Sequence, residues 1–219
     1  MTRPLVQGLQ GRDLSGRDLS GLNLSYANLE GTNLEGAFLQ GAMLMGCSLL
    51  SSSLKGADLR GANLVGADLS FADCQDTYFT RANLTQTKFL RANLSSADFS
   101  YAELTLATLD VAILTKANFT EASLYRTHLR SSHIPEGFFF RANLSNASLM
   151  GAHLSGATLR GANLEEADLS EANLEGAHLE DANLSRARLK DALLKGASYD
   201  HRTQITLSPS QLASMNKVL

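Results

Sequence analysis

Tryptophan is absent from this chain, proline occurs three times and cysteine twice, and aromatic residues make up only 6% of its 219 positions. A core without tryptophan and with few other rings must be built from small aliphatic side chains. Two cysteines, Cys47 and Cys74, allow at most one disulfide. No run approaches the ~20 apolar residues of a membrane-spanning helix. The opening MTRPLVQGLQ holds no apolar stretch of the roughly 7–15 residues that a secretory signal uses. A formal net charge of -3 lacks the basic excess of a nucleic-acid or anionic-membrane binder. Walker loops, dinucleotide fingerprints, nucleophile elbows and HExxH are also missing. These absences favour a cytoplasmic, non-enzymatic protein with no cofactor, no direct nucleic-acid binding and no membrane segment. With 44% hydrophobic residues the chain can nevertheless bury a substantial core.

What is present is a period of five. From Leu9 to Tyr199 every fifth residue gives 39 positions, of which 31 are Leu. The other eight are Cys74, Phe79, Phe89, Phe99, Phe119, Ile134, Phe139 and Tyr199, and no insertion breaks the phase. Two residues before each, 27 of the 39 are Ala; one before, 18 are Asp or Asn; two after, the position holds 15 of the chain's 17 glycines. The frequent NLS, NLT and NFT triplets fall out of this unit and carry no glycosylation signal. A period of five suits neither a helix nor a continuous strand. Ala and Leu, two apart, point to one side of an extended segment, and Gly, Asn and Asp supply turn chemistry between segments. Such units must stack to bury anything.

The unit A-[D/N]-L-x-G resembles that of the pentapeptide-repeat family over residues 9–199, as in bacterial and especially cyanobacterial members. The resemblance implies an all-β, right-handed quadrilateral β-helix with four units, or 20 residues, per coil. The 39 units would make about ten coils at ~4.8 Å each, a rod of roughly 47 Å. The 20-residue register has independent support: of the five inward phenylalanines, Phe79, Phe99, Phe119 and Phe139 fall in one column, with Tyr199 further along, and only Phe89 lies elsewhere. We expect these four rings to form a core ladder. Residues 1–199 are read as the solenoid and 200–219 as a tail with a short capping helix. In that helix Ser208 is the N-cap, Pro209 the first helical residue, and Leu212, Met215 and Leu219 an apolar stripe over the last coil. The N-terminal coil needs cover from the residues before it or from another subunit.

Three zones run along the chain. Corner glycines mark residues 9–70 and 151–199, whereas residues 71–150 have none and place Phe71, Arg81, Arg91, Tyr101, Leu106, Val111, Arg126 and Arg141 there instead. Within that zone SSHIPEGFFFR, residues 131–141, looks like an insertion, yet Ile134 and Phe139 keep the inward phase and Gly137 takes the small inward position. Pro135, Phe138 and Phe140 are expected outside. We therefore expect a contact surface for an unidentified protein partner that includes Tyr101, Arg126, Pro135, Phe138, Phe140 and Arg141. A homodimer by end or side contact is an open option.

Other candidates carry less chemistry. Cys47 and Cys74 sit on different sides at different heights, which disfavours a disulfide. His133 and His153 stack 20 residues apart, but Asn93, Ile113 and Asn173 complete their column without a third metal ligand. The alternative function comes from the resemblance: some members bind DNA gyrase as DNA mimics and protect it from quinolones. Here the acids Glu165, Glu166, Asp168, Glu171, Glu175, Glu180 and Asp181 form a belt around the axis rather than a stripe along it. The unbroken phase also leaves no room for a long projecting loop.

Overall fold

Each five-residue unit closes a corner in the same way. The carbonyl of the inward residue accepts the N–H three positions on, as in Arg12 N–H to Leu9 O at 3.0 Å and Ala37 N–H to Leu34 O at 3.0 Å. The residue two after it takes the left-handed conformation that the third position of a type II turn requires, for example Gly41 at φ +62. The computed structural model describes residues 8–218. Parallel bridges join residues 20 apart, from Asp13 with Asn33 through to His178 with Ser198. Four units thus close one coil, and the chain winds as the right-handed β-helix that the repeat implies.

The Asp and Asn residues have a sharper role than generic turn formers. They occupy the outward, bridging position, and the Oδ1 of all 18 accepts the backbone N–H two residues later. Asx turns of this kind clamp these 18 corners from outside and satisfy a donor that the coil-to-coil ladder leaves free. Glu103 does the same for Thr105 N–H at 2.9 Å.

Inside, the inward column residues from Leu29 to Leu184 are at most 1% exposed. Phe79, Phe99, Phe119 and Phe139 stack with centroid spacings of 4.9, 4.8 and 4.9 Å. Phe89 belongs to the same cluster: it reaches in from the facing wall and meets Phe79 and Phe99 edge-on at 5.8 and 6.1 Å. Parallel and edge-on contacts together satisfy the ring quadrupoles. Where Thr replaces Ala, its hydroxyl donates to a carbonyl of the preceding coil, as in Thr77 to Leu54 O at 2.8 Å and Thr87 to Leu64 O at 2.8 Å. That removes the penalty of a buried polar group.

Gly137 is a glycine for space, not for conformation. A β-carbon there would lie 2.7 Å from Ile134 Cγ2 and 3.1 Å from Phe139 Cε2. Ile134, branched at Cβ, and the wide Phe139 together use the volume that Leu partners leave for Ala in most other units.

The two ends differ. After Tyr199 the pentad is lost, yet the winding continues: Gln204 bridges Asn183, and β1 (Ser198–Tyr199) pairs in parallel with β2 (Asn216–Lys217). A six-residue helix, α1 (Pro209–Ser214), lies between Gln204 and β2 on this last turn. Ser208 caps α1 with a full capping box through Gln211, and Pro209 opens it. The expected apolar stripe is not formed. Leu212 is 43% exposed, and α1 buries none of its residues. The helix ends at Ser214, so Met215 is its extended C-cap and is buried by that route rather than on a helical face. Leu219 lies outside the described residues. At the other end Leu9, Leu14 and Leu19 are only partly buried, and the exposed Arg12, Arg17 and Leu22 occupy the small inward slots. Residues 1–7, which with another subunit are the alternatives for covering this end, lie outside the described residues.

Candidate interaction surface

The corner glycines stop at Gly66 and resume at Gly151. Between them, 16 successive corners from Phe71 to Asn146 hold the left-handed conformation with a side chain in place, at φ values of +51 to +61. For a residue with a β-carbon that conformation costs about 1 kcal/mol or more. Only Asp76 and Asn146 are of the types that tolerate it readily. Val111, branched at Cβ, is the least suited, at φ +61. The middle coils therefore carry an unbroken series of outward side chains in a conformation that glycine adopts at least cost.

One corner gathers most of the expected contact residues. Arg81, Tyr101, Glu121 and Arg141 follow one another at 20-residue intervals, and their backbones are joined coil to coil, as in Tyr101 N–H to Thr120 O at 2.9 Å and Glu121 N–H to Phe140 O at 2.8 Å. The Arg81 guanidinium lies 5.4 Å from the Tyr101 ring centroid, and that of Arg141 lies 5.0 Å from the Phe140 centroid. Phe138, in the middle of the adjoining side, bridges Asn118 and Thr158. Tyr101, Phe138 and Phe140 are 49%, 46% and 40% exposed. Pro135 sits at the preceding corner, half-buried, with its carbonyl accepting Lys116 N–H at 3.0 Å. Arg126 stands apart, one corner further on, over Tyr125 at 5.1 Å. The structure thus joins Tyr101, Phe138, Phe140 and Arg141 into one surface and separates Arg126 from it. Arg81 and Arg160, which flank this surface, were legible only by following the 20-residue columns. A second exposed apolar group, Phe71, Leu90, Val111 and Ile113, occupies a different corner and its adjoining side.

The remaining candidates are quiet. Both cysteines are free and buried, and burial pushes the Cys47 thiol up to about 12, far from a reactive thiolate. His133 and His153 lie 5.8 Å apart, tilted by 51°. Among the described residues no three His, Cys, Asp or Glu side chains gather as a metal set.

The family model for pentapeptide repeats matches the chain in segments that together cover residues 13–130 and 139–198. This is a pentapeptide-repeat protein. The solved structure of the pentapeptide-repeat protein HetL, involved in heterocyst differentiation regulation in the cyanobacterium Nostoc sp. strain PCC 7120, is 35% identical over 86% of this chain and 85% of HetL, with a TM-score of 0.69. The pentapeptide-repeat protein Rfr23 of the cyanobacterium Cyanothece 51142 is 41% identical over 43% of this chain and 64% of Rfr23, at a TM-score of 0.42. QnrB1, a plasmid-mediated fluoroquinolone resistance protein, covers 94% of this chain and 91% of its own at 16% identity and a TM-score of 0.51, a likeness of fold alone. No functionally curated protein matches the chain in sequence.

Proposed function

We propose that this pentapeptide-repeat protein is a non-enzymatic protein-interaction module, a rigid β-solenoid that presents the side chains of its middle coils to a protein partner. The observation that carries this reading is the uninterrupted run of 16 corners that keep a side chain in a conformation suited to glycine. Strain retained over so many successive corners points to a use for the side chains themselves. Exposed rings held on a wall with bonds in every coil lose little freedom on binding, which favours affinity. The likeness to HetL, a protein of differentiation control, agrees with a regulatory binding role.

The gyrase-binding alternative is not favoured. Five of the seven acids in the belt are paired with arginines of nearby coils: Glu165 and Glu166 with Arg186 at 3.8 and 3.1 Å, Asp168 with Arg188 at 3.8 Å, Glu180 with Arg160 at 3.6 Å, and Asp181 with Arg202 at 3.7 Å. Paired acids do not imitate a phosphate backbone. A capture experiment from lysate of the source organism tests the proposal. Wild type retains a specific partner, and Phe138→Ala/Phe140→Ala loses it. Retention of every partner by the folded double variant removes this surface from the reading.

A further inference from the structure

Gly161 leaves a notch directly beyond Arg141 on the Tyr101 corner. A β-carbon at Gly161 would come within 3.3 Å of Arg141 Cγ, so a larger residue would crowd the notch. The resulting cavity of about 330 Å³ is lined by Phe140, Arg141, Arg160, Glu180, Asp181 and Arg202. Two of the three arginines in this cluster are paired. Arg160 is matched by Glu180 at 3.6 Å, and Arg202 by Asp181 at 3.7 Å and Asp200 at 3.4 Å. Among the described residues Arg141 has no carboxylate partner, and its guanidinium rests over the Phe140 ring. Three coils earlier the same corner repeats the device: Arg81, also without a carboxylate partner among the described residues, lies over Tyr101.

From this charge pattern, and resting on the reading of the corner as a binding surface, we infer that the partner offers an acidic, extended polypeptide segment. Its carboxylates would pair with Arg141 at the notch and with Arg81, while apolar side chains between them lie on Tyr101 and Phe140. A guanidinium set over an aromatic face keeps its fork of donors free at the edge, which suits a carboxylate. Arg81 and Arg141 are 60 residues and hence three 20-residue coils apart, about 14 Å along the rod. An extended segment advances ~3.3 Å per residue, so the two acids belong about four residues apart. Glu121, two coils from Arg81 and one from Arg141 in the same column, repels a third acid placed beside it. The spacing is therefore as informative as the charge.

Fluorescence anisotropy with short labelled peptides tests the inference. The probes are ESLSE, its lysine counterpart KSLSK, and SEESL, with the same number of acids placed side by side. Wild type binds ESLSE saturably and roughly tenfold more tightly than either of the others, with affinity falling as salt rises. Arg141→Ala removes most of this preference, and the double variant Arg81→Glu/Arg141→Glu transfers it to KSLSK. Equal binding of ESLSE and KSLSK by wild type, or an unchanged preference in the folded Arg141→Ala variant, overturns the inference. If the preference is absent while Phe138→Ala/Phe140→Ala still loses the host partner, the acidic segment is wrong and the surface stands. If the preference holds while that double variant keeps every partner, the arginines bind acids but the aromatic surface is not where the host partner docks.

Discussion

Gly137→Ala inserts the residue that 27 of the 39 units carry at this position, and it should nevertheless destabilise the protein. The new β-carbon lies 2.7 Å from Ile134 Cγ2 and 3.1 Å from Phe139 Cε2, both on side chains with no exposure. Ordinary carbon contacts lie near 3.5–4.0 Å, so a displacement of about 1 Å is required. Phe139 cannot yield easily, because it is stacked 4.9 Å from Phe119 within the ladder. Overpacking of this kind costs about 1–3 kcal/mol, and the stiffer unfolded chain of the alanine variant returns about 0.4–1 kcal/mol. The net expectation is a loss of roughly 1–2 kcal/mol. Urea denaturation followed by circular dichroism measures it as a lower midpoint at unchanged slope. The cause is checked in the Ile134→Leu background, where Cγ2 is gone. There Gly137→Ala should be tolerated, with a coupling of at least about 0.5 kcal/mol between the two sites. Equal or higher stability of Gly137→Ala in the wild-type background refutes the packing argument, and equal losses in both backgrounds refute the role of Ile134.

Val111→Gly should raise stability by about 0.5–1 kcal/mol, because a β-branched residue gives up a left-handed corner; a thermal melt that moves down contradicts this. Acid should weaken the outer clamps. The Ser20 backbone N–H, with help from its hydroxyl, holds the Asp18 carboxyl below the ordinary 3.8, and the Ser15 hydroxyl and N–H do the same for Asp13. A carboxylate depressed in the folded state contributes stability above its unfolded pKa and loses that contribution as pH falls through the folded value. Melting temperatures compared from roughly pH 5 to pH 2 should therefore fall less for Asp18→Asn, which keeps the acceptor and does not titrate, than for wild type.

Much of this molecule is legible in the pentad. The inward positions, the 20-residue register and the phenylalanine column follow from spacing, because each coil stacks on an equivalent one without insertion. SSHIPEGFFFR shows the depth of that reading: phase alone places Ile134, Gly137 and Phe139 inside and Phe138 and Phe140 outside. What spacing does not convey is contact between sides of the coil. Phe89 is the one phenylalanine of its inward column, yet it crosses the interior to meet Phe79 and Phe99. Likewise Arg126 shares the corner position of Arg141 within its unit but projects from another edge of the rod. The tail misleads for a different reason. A helical stripe drawn through Leu212, Met215 and Leu219 presumes a helix that continues, whereas α1 ends at Ser214 and the chain resumes coil pairing through β2.

The central claim is that side chains on the middle corners are kept for binding against the preference of the fold. The triple variant Arg81→Gly/Tyr101→Gly/Arg141→Gly tests it directly, with stability and partner capture measured on the same preparation. The account predicts a higher melting temperature together with loss of the partner. A variant that melts lower, or that becomes more stable and still retains the partner, contradicts it.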